Sequence, residues 1–224
     1  MADVYWGIPT NEYNNNVYHG ENQQNKKRKL FRNDDEKKYE VYDPLIYTFG
    51  KEVHFSSGIN KITIEILIKH ISAIIEAFYT EYEARGEELL ITYIVDSPGG
   101  SVTSVLKFVD FLSMAKKNYP NIKFKSIISG LAASAGTTMA CVADKRVMTK
   151  NAKSMIHDLS GGNVGTYTQM MSQNEFIKDL NDALVNIYSD HCNRTKEQLA
   201  ELLKTNKWFN AQQYLEFGFV DEVV

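Results

Sequence analysis

Short apolar runs rich in β-branched residues alternate along this chain with amphipathic segments, and this alternation constrains the fold more than any other feature. Residues 89–95 form such a run and stop at the turn signal Asp-Ser-Pro-Gly-Gly of residues 96–100, which predicts a buried strand entering a tight turn. Further strands are predicted at residues 53–55, 123–128 and 146–148, and helices at 62–78, 105–112, 133–143 and 164–192. The order predicts a parallel sheet with covering helices, an α/β fold.

The beginning of the chain differs in composition from the rest. Residues 11–42 are rich in Asn, Gln, Lys, Asp and Glu and have no sustained hydrophobic period, which is typical of a flexible tail. Because the basic run at residues 26–29 is soon followed by acidic residues 34–36, we interpret it as a solvated charge run. The sequence therefore predicts a flexible polar extension over residues 1–42 and one folded domain over residues 43–224.

Charge and hydropathy argue against several functions. The formal net charge of -3 gives no general attraction to nucleic acid. The uncharged stretch 127–143 is shorter than the ~20 residues that cross a bilayer, and no secretory signal is visible. The two cysteines, Cys141 and Cys192, are too few for a disulfide framework and predict reduced thiols. We expect a cytoplasmic protein that binds neither nucleic acid nor membrane.

Two turns carry residues with chemical potential. In the first, the paired glycines Gly99 and Gly100 follow a predicted strand and allow close approach to a ligand, although a Gly-Gly turn alone is more often structural. In the second, residues 130–136 place Ser134 at a predicted helix start, where a serine usually serves as an N-cap. A nucleophilic role for Ser134 requires a base and oxyanion donors.

His157 is the natural base, because it follows the apolar pair Met-Ile at a predicted strand end. Four other histidines lie in the tail, an early strand and helices: His19, His54, His70 and His191. A single buried histidine is nevertheless often structural, so neither residue identifies a function alone.

Read together, these segments resemble one family. Val-Asp-Ser-Pro-Gly-Gly-Ser-Val at 95–102, Gly-Leu-Ala-Ala-Ser-Ala-Gly at 130–136 and Met-Ile-His at 155–157 resemble the signature segments of ClpP, the serine peptidase subunit of ATP-dependent Clp complexes. The resemblance continues at residues 161–162, 208–211 and 216–221. It implies the ClpP/crotonase-like fold, with repeated β-β-α units and a protruding handle helix at residues 164–192.

The resemblance also implies roles for individual residues. Ser134 is expected to be the nucleophile and His157 the general base, without metal or cofactor. The backbone N–H groups of Gly100 and Ala135 match the family's oxyanion hole. The third triad member is an aspartate in the family, and Asn206 stands at that position here, where it supplies a dipole instead of a charge.

The expected substrate is a peptide or an unfolded protein, bound in an extended form. Val102 and the segment 160–164 resemble the strands that clamp the substrate backbone, so Gly99, Val102, Ser160 and Gly161 are candidate binding residues. Asp158 follows His157, but it is expected to point to the opposite side of a strand and thus not to replace the aspartate.

The family further implies a homo-oligomer of stacked heptameric rings and a Clp-type ATPase partner. At the places of the family's aromatic docking residues this chain has Thr92 and Ile94, which argues against a standard ATPase partner. Two alternatives stay open at this stage. Asn206 is compatible with a catalytically weak structural or regulatory ring subunit, and the shared fold is compatible with a crotonase-type acyl-CoA enzyme.

Overall fold

A computed structural model describes residues 5–7, 45–162 and 164–224, with only the backbone considered at residues 5–7. Most of the extension predicted over residues 1–42, including the tail at 11–42, lies outside the described residues.

Ten strands and six helices are found in these ranges. The strands are β1 (Tyr5–Gly7), β2 (Ile46–Phe49), β3 (Glu52–Phe55), β4 (Leu89–Ser97), β5 (Gly99–Ser101), β6 (Ile122–Ala133), β7 (Lys145–Met148), β8 (Lys153–Ile156), β9 (Lys207–Asn210) and β10 (Glu222–Val223). The helices are α1 (Lys61–Arg85), α2 (Val102–Asn118), α3 (Ala135–Cys141), α4 (Tyr167–His191), α5 (Lys196–Leu203) and α6 (Ala211–Glu216).

The main sheet has the order β10-β7-β6-β4-β3-β2 and is parallel except for β2. The long strand β6 has two neighbours on one edge in succession, because its residues 125–128 pair with β7 and its last three residues pair in parallel with β8. The strand β9 then extends this second branch antiparallel to β8. The predicted α/β fold with a mostly parallel sheet is confirmed, and the branch at the end of β6 carries the candidate site.

The helices are tied to the sheet by apolar packing and by hydrogen bonds from buried side chains. Tyr93 of β4 packs edge-on against Phe108 of α2 with ring centroids 5.4 Å apart, and both side chains are fully buried. Such burial contributes roughly 1.5–3 kcal/mol for a large apolar side chain. The Tyr93 hydroxyl donates to the carbonyl of Met139 in α3 at 2.9 Å, and the Ser126 hydroxyl of β6 donates to the carbonyl of Ala140 at 2.6 Å. These bonds fix α3 against the sheet.

Helix ends follow local chemistry. Thr195 caps α5 and accepts from the backbone N–H of Gln198, while the Gln198 side chain accepts from the Thr195 N–H. The sequence also predicts a helix that begins with Thr195 as its cap, and this is confirmed. The first helix ends at Gly86, whose φ of 68° is readily adopted by glycine. None of the helices in the described ranges is both long and apolar enough to pass through a bilayer.

Three local predictions were wrong. The helix expected over residues 133–143 is the shorter α3, because β6 continues to Ala133 to pair with β8. The sequence predicts a short strand at residues 219–220, directly after Gly218, but Phe219 and Val220 pack in the core and the last strand is β10. Val102, which resembled a clamping strand, is the first residue of α2 and is fully buried.

Candidate active site

Ser134 lies at the sharp turn where β6 ends and α3 begins. Its backbone has φ 59° and ψ −128°, and a positive φ is uncommon in residues other than glycine and costs about 1–3 kcal/mol. The Ser134 side chain makes no capping hydrogen bond to α3, although the residue occupies the N-cap position. The strained turn therefore directs the Ser134 hydroxyl away from the N-terminus of α3. The side chain does not act as the helix cap that the sequence suggested.

His157 is the first residue after β8, and the parallel pairing of β8 with β6 brings it beside Ser134. Ala133 is opposite Met155 in this ladder, and the Ser134 N–H donates to the Met155 carbonyl at 2.8 Å. Nε2 of His157 lies 3.0 Å from Oγ of Ser134, which is the geometry of a nucleophile with its general base. The pair predicted from the sequence is thus in hydrogen-bond contact.

Burial governs the protonation of this histidine. Only 6% of His157 is exposed, and desolvation lowers its pKa from 6.5 to about 4. The imidazole is therefore neutral at pH 7 and able to accept a proton. Its low pKa also makes it a weaker base than an ordinary histidine unless the imidazolium is stabilised during the reaction.

Gly99 lies against the nucleophile turn and Gly100 against Ile59, and neither glycine can readily be replaced by a larger residue. A Cβ on Gly99 would lie 2.6 Å from the Ser134 Cβ and 2.6 Å from the Ala133 carbonyl oxygen, and a Cβ on Gly100 would collide with the carbonyl of Ile59. Both glycines also have positive φ, 96° and 146°. The Gly-Gly turn is therefore a close-approach turn beside Ser134.

Two backbone N–H groups next to this turn are the candidate oxyanion donors. The N–H of Ala135 is the first of α3, and its nitrogen lies 3.1 Å from the position of a Gly99 Cβ. The carbonyl of Gly99 accepts from Ile59 and the N–H of Ser101 donates to Ile59, each at 2.8 Å. Because successive residues of a strand direct their peptide groups to opposite edges, the Gly100 N–H faces away from Ile59.

Asn206 reaches the site through the antiparallel pairing of β8 with β9. Ile156 is opposite Lys207, so a continuation of the register by one residue places Asn206 across from His157. Asn206 is exposed and has a φ of 47°, a conformation that asparagine adopts more readily than most residues. This register puts the backbone of Asn206 across from His157, and its role as the third triad residue stays a prediction.

Asp158 belongs to a different environment from His157. Asp158 is exposed, and its pKa is raised, mainly by partial burial. The Glu201 carboxylate also raises this pKa, whereas the Lys204 ammonium lowers it. The adjacent His157 is buried, so the two side chains occupy opposite sides of the chain, in keeping with the sequence expectation.

The segment expected to clamp a substrate is not a strand. Ser160 and Gly161 are exposed and lie in an irregular stretch between β8 and α4, and Asn163 is not described. The prediction of a strand at 160–164 is therefore not met by the described residues. Their predicted contact with substrate stays a prediction.

The other histidines have partners of their own. The His54 ring stacks on Tyr47 with centroids 4.5 Å apart, His70 Nδ1 lies 2.7 Å from the Thr48 hydroxyl, and His191 Nδ1 lies 2.8 Å from the Ile187 carbonyl. His19 lies outside the described residues. Within those residues no group of three or more His, Cys, Asp or Glu side chains is arranged to hold a metal ion.

Tyr188 of α4 supports the nucleophile turn and was missed by the sequence analysis. Its hydroxyl lies 2.6 Å from Oγ1 of Thr137 and 2.9 Å from Oγ1 of Thr138, and the Thr137 hydroxyl is also 2.6 Å from the Ser134 carbonyl. Burial raises the Tyr188 pKa well above its ordinary value, so the phenol stays protonated. The only sequence signal was a tyrosine in the apolar stripe of a helix, where a buried hydroxyl usually needs a partner.

Comparisons with known proteins identify the family of this chain. The sequence model of the family described as Clp protease matches residues 57–224, so the chain belongs to the Clp protease family. The ATP-dependent Clp protease proteolytic subunit of Leuconostoc citreum is 34% identical over 146 residues, which cover 63% of this chain and 70% of the relative.

Two further proteins of the same name give similar values. That of Lactococcus lactis is 35% identical over 134 residues, 58% of this chain and 65% of the relative. That of Streptococcus gordonii is 34% identical over 134 residues, 58% of this chain and 66% of the relative. The aligned region thus spans about two thirds of the length of these relatives. The family and the serine peptidase class expected from the sequence are confirmed.

Proposed function

We propose that this chain is a serine endopeptidase in which Ser134 attacks the peptide carbonyl and His157 acts as general base. The observation that carries the proposal is the 3.0 Å contact between His157 Nε2 and Ser134 Oγ, made by a serine at a positive-φ turn whose hydroxyl does not cap its helix. A merely structural serine would have no reason to be held in that backbone conformation.

The proposed reaction uses only groups of this chain. His157 accepts the proton of Ser134 Oγ as the new C–O bond forms, and the negative charge on the carbonyl oxygen is stabilised by the N–H groups of Gly100 and Ala135. The imidazolium then donates its proton to the leaving amine as the C–N bond breaks. A water molecule, deprotonated by His157, releases the acyl group from Ser134 and restores the starting state.

Asn206 has the role of orienting His157 in this proposal. If its amide oxygen accepts from Nδ1–H, the imidazole keeps the tautomer in which Nε2 is free to take the serine proton. The amide supplies no negative charge, so the imidazolium is stabilised less than it would be by aspartate. Because Asn206 lacks the negative charge of an aspartate, a catalytically weak ring subunit is the second candidate function.

The substrate is proposed to be an extended peptide, paired through its backbone with β5 (Gly99–Ser101), next to Ser134. Such recognition depends on extension more than on sequence, which suits unfolded proteins. Gly99, Val102, Ser160 and Gly161 remain the candidate binding residues, with Val102 acting through its backbone because its side chain is buried.

Assembly and partners follow the family. The relatives are named as proteolytic subunits of an ATP-dependent protease, and we propose stacked heptameric rings for this chain as well. A Clp-type ATPase is the proposed partner, docked differently from the standard one because Thr92 and Ile94 replace the family's aromatic docking residues. Helix α4 supports the ring-to-ring handle role, because apolar side chains near its start are exposed in the single chain: Val164, Tyr167, Met170 and Met171. The cytoplasmic location stays a prediction.

Labelling with a fluorophosphonate probe combined with native mass spectrometry tests the proposal. We expect one probe per chain, on the peptide that contains Ser134, and a mass that corresponds to an oligomer. Labelling on another serine, or unchanged labelling in Ser134→Ala, would exclude the assigned nucleophile. Labelling that is absent in the native chain would favour the catalytically weak subunit.

A further inference from the structure

The segment Tyr5–Gly7 lies on the strand that the proposed function assigns to the substrate. It forms β1, which pairs antiparallel with β5, with Tyr5 opposite Ser101, Trp6 opposite Gly100 and Gly7 opposite Gly99. The composition of residues 1–42 predicted a flexible extension, so this pairing is a departure from that expectation.

The strand β1 pairs with the edge of β5 on which the Gly100 N–H, a candidate oxyanion donor, is exposed. Ile59 uses the carbonyl of Gly99 and the N–H of Ser101 on one side of β5. The N–H and carbonyl of Gly100 therefore face the other side, where Trp6 is the residue in register. In an antiparallel ladder this pair exchanges two hydrogen bonds, so the Gly100 N–H donates to the carbonyl of Trp6.

The register also aligns a peptide bond of β1 with the nucleophile. Gly7 is opposite Gly99, the residue that lies directly against Ser134. The bond between Trp6 and Gly7 thus spans the two glycines of the active-site turn. Its carbonyl is next to the same N–H that would hold the oxyanion of a substrate.

We infer that Tyr5–Gly7 is an internal occupant of the peptide-binding strand and competes with peptide substrates for β5. The inference rests on the proposed function, since it takes β5 to be the substrate strand. An extended peptide and β1 need the same edge of Gly100, so they cannot be bound together. Because the occupant is tethered, its effective concentration is high, and a substrate must displace it.

The occupant is held by backbone hydrogen bonds, which suggests a discriminating pair of variants. Trp6→Pro removes the N–H that donates to the Gly100 carbonyl, whereas Trp6→Ala keeps it. Asn11→Pro introduces a proline outside β1 and therefore controls for a general effect of proline in this part of the chain. We expect Trp6→Pro to weaken the pairing of β1 with β5. Asn11→Pro should leave this pairing unchanged, and Trp6→Ala should weaken it clearly less than Trp6→Pro.

Hydrogen–deuterium exchange tests the pairing without activity. In a Ser134→Ala background, which cannot cleave its own N-terminal segment, the amide of Gly100 should exchange faster when Trp6→Pro is added and stay unchanged with Asn11→Pro. Equal exchange of the peptide containing residues 99–101 in all three proteins would overturn the inference.

Fluorophosphonate labelling of the native-serine chain tests the competition. Trp6→Pro should label Ser134 roughly 2- to 12-fold faster, the factor that one lost backbone hydrogen bond corresponds to. A synthetic peptide of residues 2–10 should slow that labelling, and a peptide of the reversed sequence should not. Faster exchange with unchanged labelling would overturn the competition. If Ser134 fails to label in every variant, the proposed function is wrong, and the exchange result still decides whether β1 pairs with β5.

Discussion

The two sides of His157 are built differently. On one side Ser134 is fully buried and fixed by the parallel pairing of β6 with β8, by Gly99 and by the hydrogen bonds of α3 to the sheet. On the other side Asn206 is exposed at the end of an antiparallel ladder. The contact between nucleophile and base is therefore part of the folded core. Asn206, in contrast, is exposed, so a substitution there should change the stability of the fold little.

This difference has a consequence for the chemistry. The nucleophile and base can keep their geometry in the presence of an asparagine, because the core and not the third residue sets the distance between them. What the asparagine changes is the charge that stabilises the imidazolium. We therefore expect large losses from changes on the Ser134 side and graded changes in rate on the Asn206 side.

Ser134→Ala is the largest expected effect. The change removes the nucleophile, so hydrolysis of a fluorogenic peptide should fall by about 10⁴-fold or more. Its thermal unfolding should remain close to that of the native chain, because the Ser134 side chain does not cap α3. Ser113→Ala is a matched control, since Ser113 is an exposed helix serine whose hydroxyl donates to the Val109 carbonyl at 3.1 Å. Comparable losses in both variants would contradict the assignment.

Gly99→Ala should give the next largest effect. Its Cβ would lie 2.6 Å from the Ser134 Cβ, so the turn must shift and the rate should drop by about 10²-fold or more. Gly86→Ala is the control, because Gly86 also has a positive φ, 68°, but a Cβ there would have no neighbour within 4 Å. Both variants should lose stability in urea unfolding, and only Gly99→Ala should lose activity. Full activity in Gly99→Ala would show that the turn does not pack on the nucleophile as described.

Asn206→Asp should raise kcat on a small peptide by roughly 10-fold, because a carboxylate stabilises the imidazolium that an amide only orients. Asn206→Ala should lower kcat, because the orienting group is lost. Steady-state kinetics on one peptide measures both. Unchanged rates in both variants would mean that Asn206 does not orient His157.

Tyr188→Phe should have the smallest effect. It removes the hydroxyl shared by Thr137 and Thr138 below the nucleophile turn, so we expect a loss of about 1 kcal/mol in the free energy of unfolding and a 2- to 10-fold fall in kcat with little change in KM. Tyr79→Phe is the control, because Tyr79 donates to Glu83 at 3.1 Å on an exposed surface of α1. A stability loss without any change in kcat would limit Tyr188 to a structural role.

Sequence alone predicted the parts of the site that depend on residue type and order. Ser134 and His157 stood out because each follows a predicted strand, and the two strands proved to be neighbours. The sequence did not predict that Ser160 and Gly161 are irregular or that Val102 begins α2, because local runs do not reveal where a strand finds a partner. Tyr188 was missed for a related reason, since its role depends on packing between distant helices.

The pH dependence of kcat/KM tests most directly whether buried, neutral His157 is the general base and Asn206 its uncharged neighbour. His157 must be neutral to accept the serine proton, so activity is lost as pH falls through its pKa, and burial places that pKa at about 4. The native chain should therefore keep its activity well below pH 6.5 and lose it near pH 4. In Asn206→Asp the carboxylate should raise the pKa of His157 and move this acid limb to higher pH. An acid limb near pH 6.5 in the native chain, or one that is the same in Asn206→Asp, would contradict the account.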